Sequence, residues 1–369
     1  MDKAVAGTPA RHFGVPPHFD ELPLPSLDGI RFIAVVVVII GHSGIYQYPI
    51  PPVQGVTYFF VLSGFLITWL LLREQRASGR ISLRKFYARR ALRLLPAFYF
   101  FFVVYLLLDW FTRGINSWAG YASAFFYYLN YYSAFYSPPH LPMPHTWSLA
   151  TEEQFYFVWP AVFKRLADST KFLVRLLGGV VLFGCVYRPI LHLCHVSSNY
   201  ISNAFDARAS QLATGCLLAV IVERGLTPGW LDRLFRSWWA TLSVLLLLVA
   251  SIRADYRWPG TYSEFAGDTL DPILYALLLG QAIVQSNGVF RVLNWAPIRF
   301  IGGRLSYSMY LWHWLVDAFV LRHTGQYPSL LRLATALVGS TALALVSYGL
   351  IERPFLNLKT RFQATPEAR

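Results

Sequence analysis

Arg31 and His42 bracket the apolar run RFIAVVVVIIGH, one cation opening it and one imidazole closing it. Their eleven-residue separation, at about 100° per residue, is about 20° past three helical turns, so they share a face. At about 1.5 Å rise per residue they stand roughly 16 Å apart along the axis, half the thickness of a bilayer core. An imidazole, with an ordinary pKa near ~6.5, suits general-base chemistry at neutral pH. The bland alternative is an arginine that snorkels and a histidine that only packs, and the pair alone does not separate the two.

A second group is Arg90-x-x-Arg93, beside Arg89. Three residues is close to one turn, so Arg90 and Arg93 can point the same way and grip one polyanion; anchoring to anionic lipid is the competing role. A third is HTWSLATEEQFYFVWP, which carries His145, Trp147, Ser148, Glu152 and Glu153. Adjacent acids in an apolar, aromatic run are costly unless they are paired or face water. They diverge by about 100° on a helix, so at most one faces the site of His42. Glu152 is the expected one, orienting the imidazole or holding an acceptor, with Glu153 at the rim. Trp147, Ser148, Glu153 and Arg208, the last with Asp206 as its expected partner, are candidate acceptor-binding residues. Ser63 or Ser148 is a candidate donor to a developing oxyanion. His313 in YLWHW reads more readily as a packing histidine, and Glu352-Arg353 as a surface pair.

The elements that must position these groups are membrane helices. Of 369 residues, 55% are hydrophobic, 14% charged and 17% aromatic, and mean hydropathy is positive at +0.42; these values belong to a polytopic membrane protein. The net charge of +13 does not imply nucleic acid, because the cations sit mostly between apolar segments, where they set topology. Cys185, Cys194 and Cys216 lack metal-ligand spacing and read as buried thiols, Cys194 lying nearest an oxidising face. No metal site is expected. No cleavable leader pattern precedes the first apolar run.

The chain is therefore expected to be all-α, with about ten transmembrane helices. The first three run from about 30 to 46, 53 to 72 and 94 to 110; later ones lie near 148–165, 171–191, 206–223, 237–252, 271–286, 305–321 and 330–351. Residues 73–93 carry eight cations and one acid, which places that loop in the cytoplasm, and its second half suits an interfacial helix between the second and third spans. If the aromatic segment 118–135 does not cross, every later basic connection also falls inside and both termini are cytoplasmic. Residues 1–26 form a Pro-rich, mobile cytoplasmic arm in which His12 and His18 are solvated, 27–356 one membrane body, and 357–369 a cytoplasmic tail. A bacterial inner membrane is the expected location.

In this order, LDGIR with His42, FFVLSGF, FYARRALRLLP, WSLATEEQFY, RLSYSMYLWHW and IERPF resemble the acyltransferase 3 family of integral membrane O-acyltransferases, over about residues 27–356. The resemblance implies transfer of an acyl group, most often acetyl, from cytoplasmic acyl-CoA to a hydroxyl of a cell-surface or exported glycan. It assigns Arg31 and His42 to the family's Arg-x10-His motif, and Arg90 and Arg93 to its RxxR motif. On these grounds Arg31, Arg89, Arg90 and Arg93 are expected to hold the phosphates of acetyl-CoA, a co-substrate rather than a resident cofactor. Phe32 departs from the small residue common after LDGIR. The esterase-like domain fused to some members is not in this sequence, so a second transfer would need a separate glycan-assembly partner. Two alternatives stand beside this: an acyltransferase with a macrolide or other small acceptor or a succinyl donor, and a secondary transporter using buried Arg, His and Glu as an ion path.

Overall fold

The computed structural model describes residues 25–43, 50–112, 114–115, 117–136, 140–285, 288–324 and 328–359. His12 and His18, with nearly all of the expected arm and most of the expected tail, lie outside these residues. The described residues form helices and connections and no strand. In chain order the helices are α1 (Pro25–His42), α2 (Pro52–Ser78), α3 (Leu83–Thr112), α4 (Trp118–Phe125), α5 (Leu129–Tyr136), α6 (Trp147–Leu166), α7 (Thr170–Leu193), α8 (Ser198–Asn203) and α9 (Phe205–Glu223). There follow α10 (Gly229–Arg236), α11 (Trp238–Arg257), α12 (Asp268–Val284), α13 (Val289–Leu293), α14 (Ala296–Phe300), α15 (Ser306–Thr324), α16 (Ser329–Ser347) and α17 (Arg353–Lys359).

Within the described residues each expected span falls on a helix, the ends at 44–46 and 286 lying outside them, and 6 helical stretches there are long and apolar enough to cross a membrane. The protein is an integral membrane protein. One local expectation changes. The basic segment expected as a separate interfacial helix is the first part of α3, one 30-residue helix with Pro96 inside it. Membrane helices tolerate such a proline because neighbouring groups re-satisfy the freed carbonyl. The aromatic segment 118–135, which no expected span includes, becomes α4 and α5, of 8 residues each, about 12 Å long and too short to cross.

Aromatic and aliphatic side chains of α1, α2, α3, α6, α9 and α15 fill the core, among them Val35, Phe60, Phe98, Phe163, Leu212 and Leu311. The outer surfaces of α7, α11 and α16 instead expose Leu182, Phe183, Leu246, Val249, Val338 and Val346, as lipid-facing helices do. Two close approaches fix the geometry near the cavity. A Cβ on Gly64 of α2 would lie 2.0 Å from the Leu212 carbonyl oxygen of α9, and one on Gly215 of α9 would lie 1.8 Å from that of Val61. These two helices touch backbone to backbone, which only glycine permits. At the start of α1, a Cβ on Gly302 would lie 1.7 Å from the Asp28 carbonyl oxygen. That contact seats the connection after α14 against the Arg31 end of α1.

Candidate active site

A cavity of about 1050 Å³ opens between the first turns of α1, the middle of α2, residues 90–94 of α3, the first half of α6, the first turns of α15, and α14 and α17 with the wide turns beside them. It is at the upper end of the size of ordinary ligand sites. Arg31, Arg90 and Arg93 line it, joined by Arg299, Arg304 and Arg353, against Asp28, Glu152 and Glu352. Two wide π-type turns, Ile301–Leu305 and Tyr348–Glu352, contribute to its wall; such turns often mark functional positions.

Arg31 and Arg90 are individually held. Arg31 donates to Asp28 at 2.8 Å, within the first turns of α1. Arg90 donates to Glu153 at 3.0 Å, and its guanidinium carbon lies 3.0 Å from the centre of the Tyr156 ring. Arg89 points elsewhere: it pairs with Glu74 at 2.8 Å and is not among the residues lining the cavity. Glu152 lines the wall and accepts from Ser63 at 3.1 Å and from Tyr156 at 3.0 Å. The two adjacent acids thus diverge as their helical spacing requires, one toward α2 and one toward α3. Glu352, expected at the surface, is buried and accepts from Ser308, while Arg353 lines the cavity.

Ser148 and Tyr310, both buried, also line the cavity. Their hydroxyls are 2.5 Å apart, and the Tyr310 hydroxyl donates to the His145 carbonyl at 2.7 Å. Beyond them lie three imidazoles from three separate parts of the chain. The ring of His42, at the last residue of α1, is 5.1 Å from that of His313, and the His313 ring is 5.1 Å from that of His145. Trp314 closes the group, 5.3 Å from His42 and stacked on His145 at 5.7 Å. His42 Nδ1 lies 3.0 Å from the Val38 carbonyl oxygen. A carbonyl only accepts, so Nδ1 carries the proton and Nε2 is a bare lone pair, the form that a general base requires. Glu152 is not the partner expected for this ring: the hydrogen bond of His42 goes to Val38 and its ring neighbours are His313 and Trp314.

The expected acceptor-binding residues divide. Ser148 is at the cavity and Glu153 supports Arg90, whereas Trp147 packs on Phe60 with ring centres 6.0 Å apart. Arg208 is buried 5.7 Å from the centre of the Trp147 ring. Its partner is Asp268, at 2.6 Å, and not Asp206, which instead accepts from Tyr131, Tyr187 and Tyr200.

Comparison with known proteins decides the family. A family model described as an acyltransferase domain matches residues 24–349. The chain belongs to the acyltransferase 3 family. It is 30% identical over 353 residues to a peptidoglycan O-acetyltransferase, OatA, of Listeria monocytogenes, covering 90% of this chain and 55% of that protein. It is also 30% identical over 354 residues to the putative peptidoglycan O-acetyltransferase YrhL of Bacillus subtilis (90% of this chain, 54% of the other). The O-acetyltransferase OatA of Staphylococcus aureus is 30% identical over 356 residues (90% and 57%). The chain spans little more than half the length of these curated relatives. No solved structure matches it.

Within this acyltransferase domain the Arg-x10-His and RxxR residues all lie in the matched segment, and the cavity unites Arg31 with Arg90 and Arg93. Sequence reasoning missed Arg299, Arg304 and Arg353, which read as topology signals in a basic connection and a helix end, and it did not bring His145 and His313 beside His42. The available signal was density: His313 lies in SYSMYLWHW and His145 directly before TWS, two polar-aromatic clusters within apolar surroundings.

Proposed function

We propose that the protein is a membrane O-acetyltransferase that moves an acetyl group from cytoplasmic acetyl-CoA to a hydroxyl of a cell-envelope glycan of the peptidoglycan class. The observation that carries this is the cavity itself, lined by six arginines and by the Ser148–Tyr310 hydroxyl pair, with three histidines clustered behind that pair. Polyphosphate groups need several forked cations, and a long thin arm needs a deep channel. The names of the relatives support the glycan acceptor.

In the reaction proposed here, Arg31, Arg90, Arg93, Arg299, Arg304 and Arg353 hold the phosphates of the donor, and its thioester reaches Ser148 and Tyr310. His42 Nε2 takes the proton of the attacking hydroxyl as the oxygen bonds to the acyl carbon. The Ser148 or Tyr310 hydroxyl donates to the developing oxyanion, and the thiolate leaves with a proton. Glu152, held between Ser63 and Tyr156, orients those two groups at the wall. The ten helices that match the expected spans cross the membrane, with both termini in the cytoplasm and the arginine cavity on that side.

The test is transfer from radiolabelled acetyl-CoA to a muropeptide or oligosaccharide acceptor by purified protein, with no ion gradient present. Labelled ester is the expected product. Absence of both acetyl-CoA binding and transfer in folded wild-type protein overturns the proposal and favours a transport function for the buried charges.

A further inference from the structure

Resting on that acetyl-transfer proposal, we infer that Asp317 binds the acceptor, its carboxylate taking a hydrogen bond from a sugar hydroxyl next to the one that His42 deprotonates. Asp317 is only 2% exposed, and neither oxygen of its carboxyl has a hydrogen-bond partner among the described residues. Other buried acids of the bundle are engaged: Asp268 pairs with Arg208, Asp271 accepts from Gln54, and Glu352 accepts from Ser308. A carboxyl buried without a partner is costly, and inside a membrane span such a group marks function.

Its place on α15 ties it to His42. Tyr310, His313 and Asp317 follow one another at intervals of three and four residues, so they share one face of the helix. Tyr310 lines the donor cavity, and His313 and Trp314 are rings that pack against His42. Asp317 comes four residues after His313 and three after Trp314, about one turn, or roughly 6 Å, farther from the cavity. Side chains on a helix lean back over the preceding turn, and here that turn carries the two rings in contact with His42. His42 itself is half-buried yet does not line the donor cavity, so its accessible surface lies outside that cavity.

The reaction needs two approaches to one point. The donor comes from the arginine cavity beside Tyr310 and Ser148, and a cell-envelope glycan comes from the opposite side of the membrane. Along α15 the order is cavity, histidine, carboxyl, which puts Asp317 on the acceptor's side of His42. In the transfer the acceptor O–H and thioester C–S bonds break, the ester O–C and thiol S–H bonds form, and His42 takes up the proton. Asp317 has no part in that exchange. It holds the sugar by a neighbouring hydroxyl, and one helical turn is comparable to the span of a sugar ring. A base alone does not choose among several similar hydroxyls, whereas a second fixed contact on the same ring orients one of them for attack. Packing would be served as well by leucine, without the cost of a buried, unpaired carboxyl.

The experiment compares the full wild-type chain with Asp317→Leu and Asp317→Asn, using a fluorescently labelled disaccharide muropeptide as acceptor. It measures muropeptide binding, acetyl-CoA affinity, kcat and acceptor KM, and thermal unfolding in detergent without ligands. In Asp317→Leu the muropeptide Kd and KM should rise about 10-fold, the worth of one hydrogen bond to a charged group, with acetyl-CoA affinity unchanged and a smaller effect on kcat. Its unfolding temperature should equal or exceed that of wild type, because an unpaired buried carboxyl is gone. Asp317→Asn is nearly isosteric but accepts more weakly than a carboxylate, so its affinity should fall between the two. Wild-type muropeptide affinity in either folded variant overturns the inference. So does a lowered unfolding temperature accompanied by loss of acetyl-CoA binding, which assigns Asp317 to structure. A wild-type protein that neither binds acetyl-CoA nor transfers acetyl overturns the acetyl-transfer proposal and this inference with it, a result distinct from active wild type with indifferent variants.

Discussion

The chemistry proposed for His42 depends on one nitrogen. The Val38 carbonyl one turn back holds the proton on Nδ1, so Nε2 stays available as a base without help from a carboxylate. His42→Ala removes the base and leaves the arginine cavity intact; acetyl transfer should fall by about 10² or more with donor affinity unchanged, as seen by comparing single-turnover rates with equilibrium binding. Arg90 tests the opposite half of the site. Its guanidinium is held by Glu153 and lies on the face of Tyr156, a planar arrangement that an ammonium does not reproduce. Arg90→Lys should weaken acetyl-CoA binding about tenfold, or about 1.4 kcal/mol, with a smaller effect on kcat. Equal binding by the two proteins would place the phosphates elsewhere in the cavity.

At the scale of the helix, the FFVLSGF segment is explained by contact rather than chemistry. Gly64 and Gly215 let α2 and α9 meet at their backbones, and Ser63, beside Gly64, thereby reaches Glu152 on α6. Gly64→Ala or Gly215→Ala must push the helices apart, at a cost of about 1–3 kcal/mol. Thermal unfolding in detergent should show it, whereas Gly179→Ala, where a Cβ meets nothing within 4 Å, should match wild type. Gly64→Ala should also lower turnover by displacing Ser63. Helices of this kind were legible in the sequence because an apolar run of span length has few other fates. The continuity of α3 was not, since cations alternating with Phe86, Tyr87 and Leu92 fit an interfacial helix as well as the cytoplasmic end of a longer one. The shared face of Arg31 and His42 followed from helical spacing alone. The histidine cluster did not, because its members come from α1, α15 and the turn before α6, and no local pattern brings those together. Arg208 was read with Asp206, its near neighbour in sequence, whereas the fold supplies Asp268 from α12.

For the molecule as a whole, the proposed mechanism needs the arginine cavity on the cytoplasmic side, where acyl-CoA is made, and that orientation has a handle in the native sequence. α7 has 24 residues, a length of about 36 Å that crosses a bilayer core. It starts just after the basic Lys164–Arg165 end of α6 and returns to Cys194, which is exposed, while Cys216 is buried and Cys185 half-buried. With the basic connections inside, Cys194 faces outward. A membrane-impermeant maleimide applied to sealed right-side-out vesicles should therefore label the protein, and Cys194→Ser should abolish the signal. The same reagent should fail on inside-out vesicles until they are opened. The converse pattern would turn α6 and α7 over together and put the arginines of α3, bound to α6 through Glu153, on the side that holds no acyl-CoA. Cytoplasmic acyl-CoA would then no longer be the donor, whatever the chemistry of the histidines.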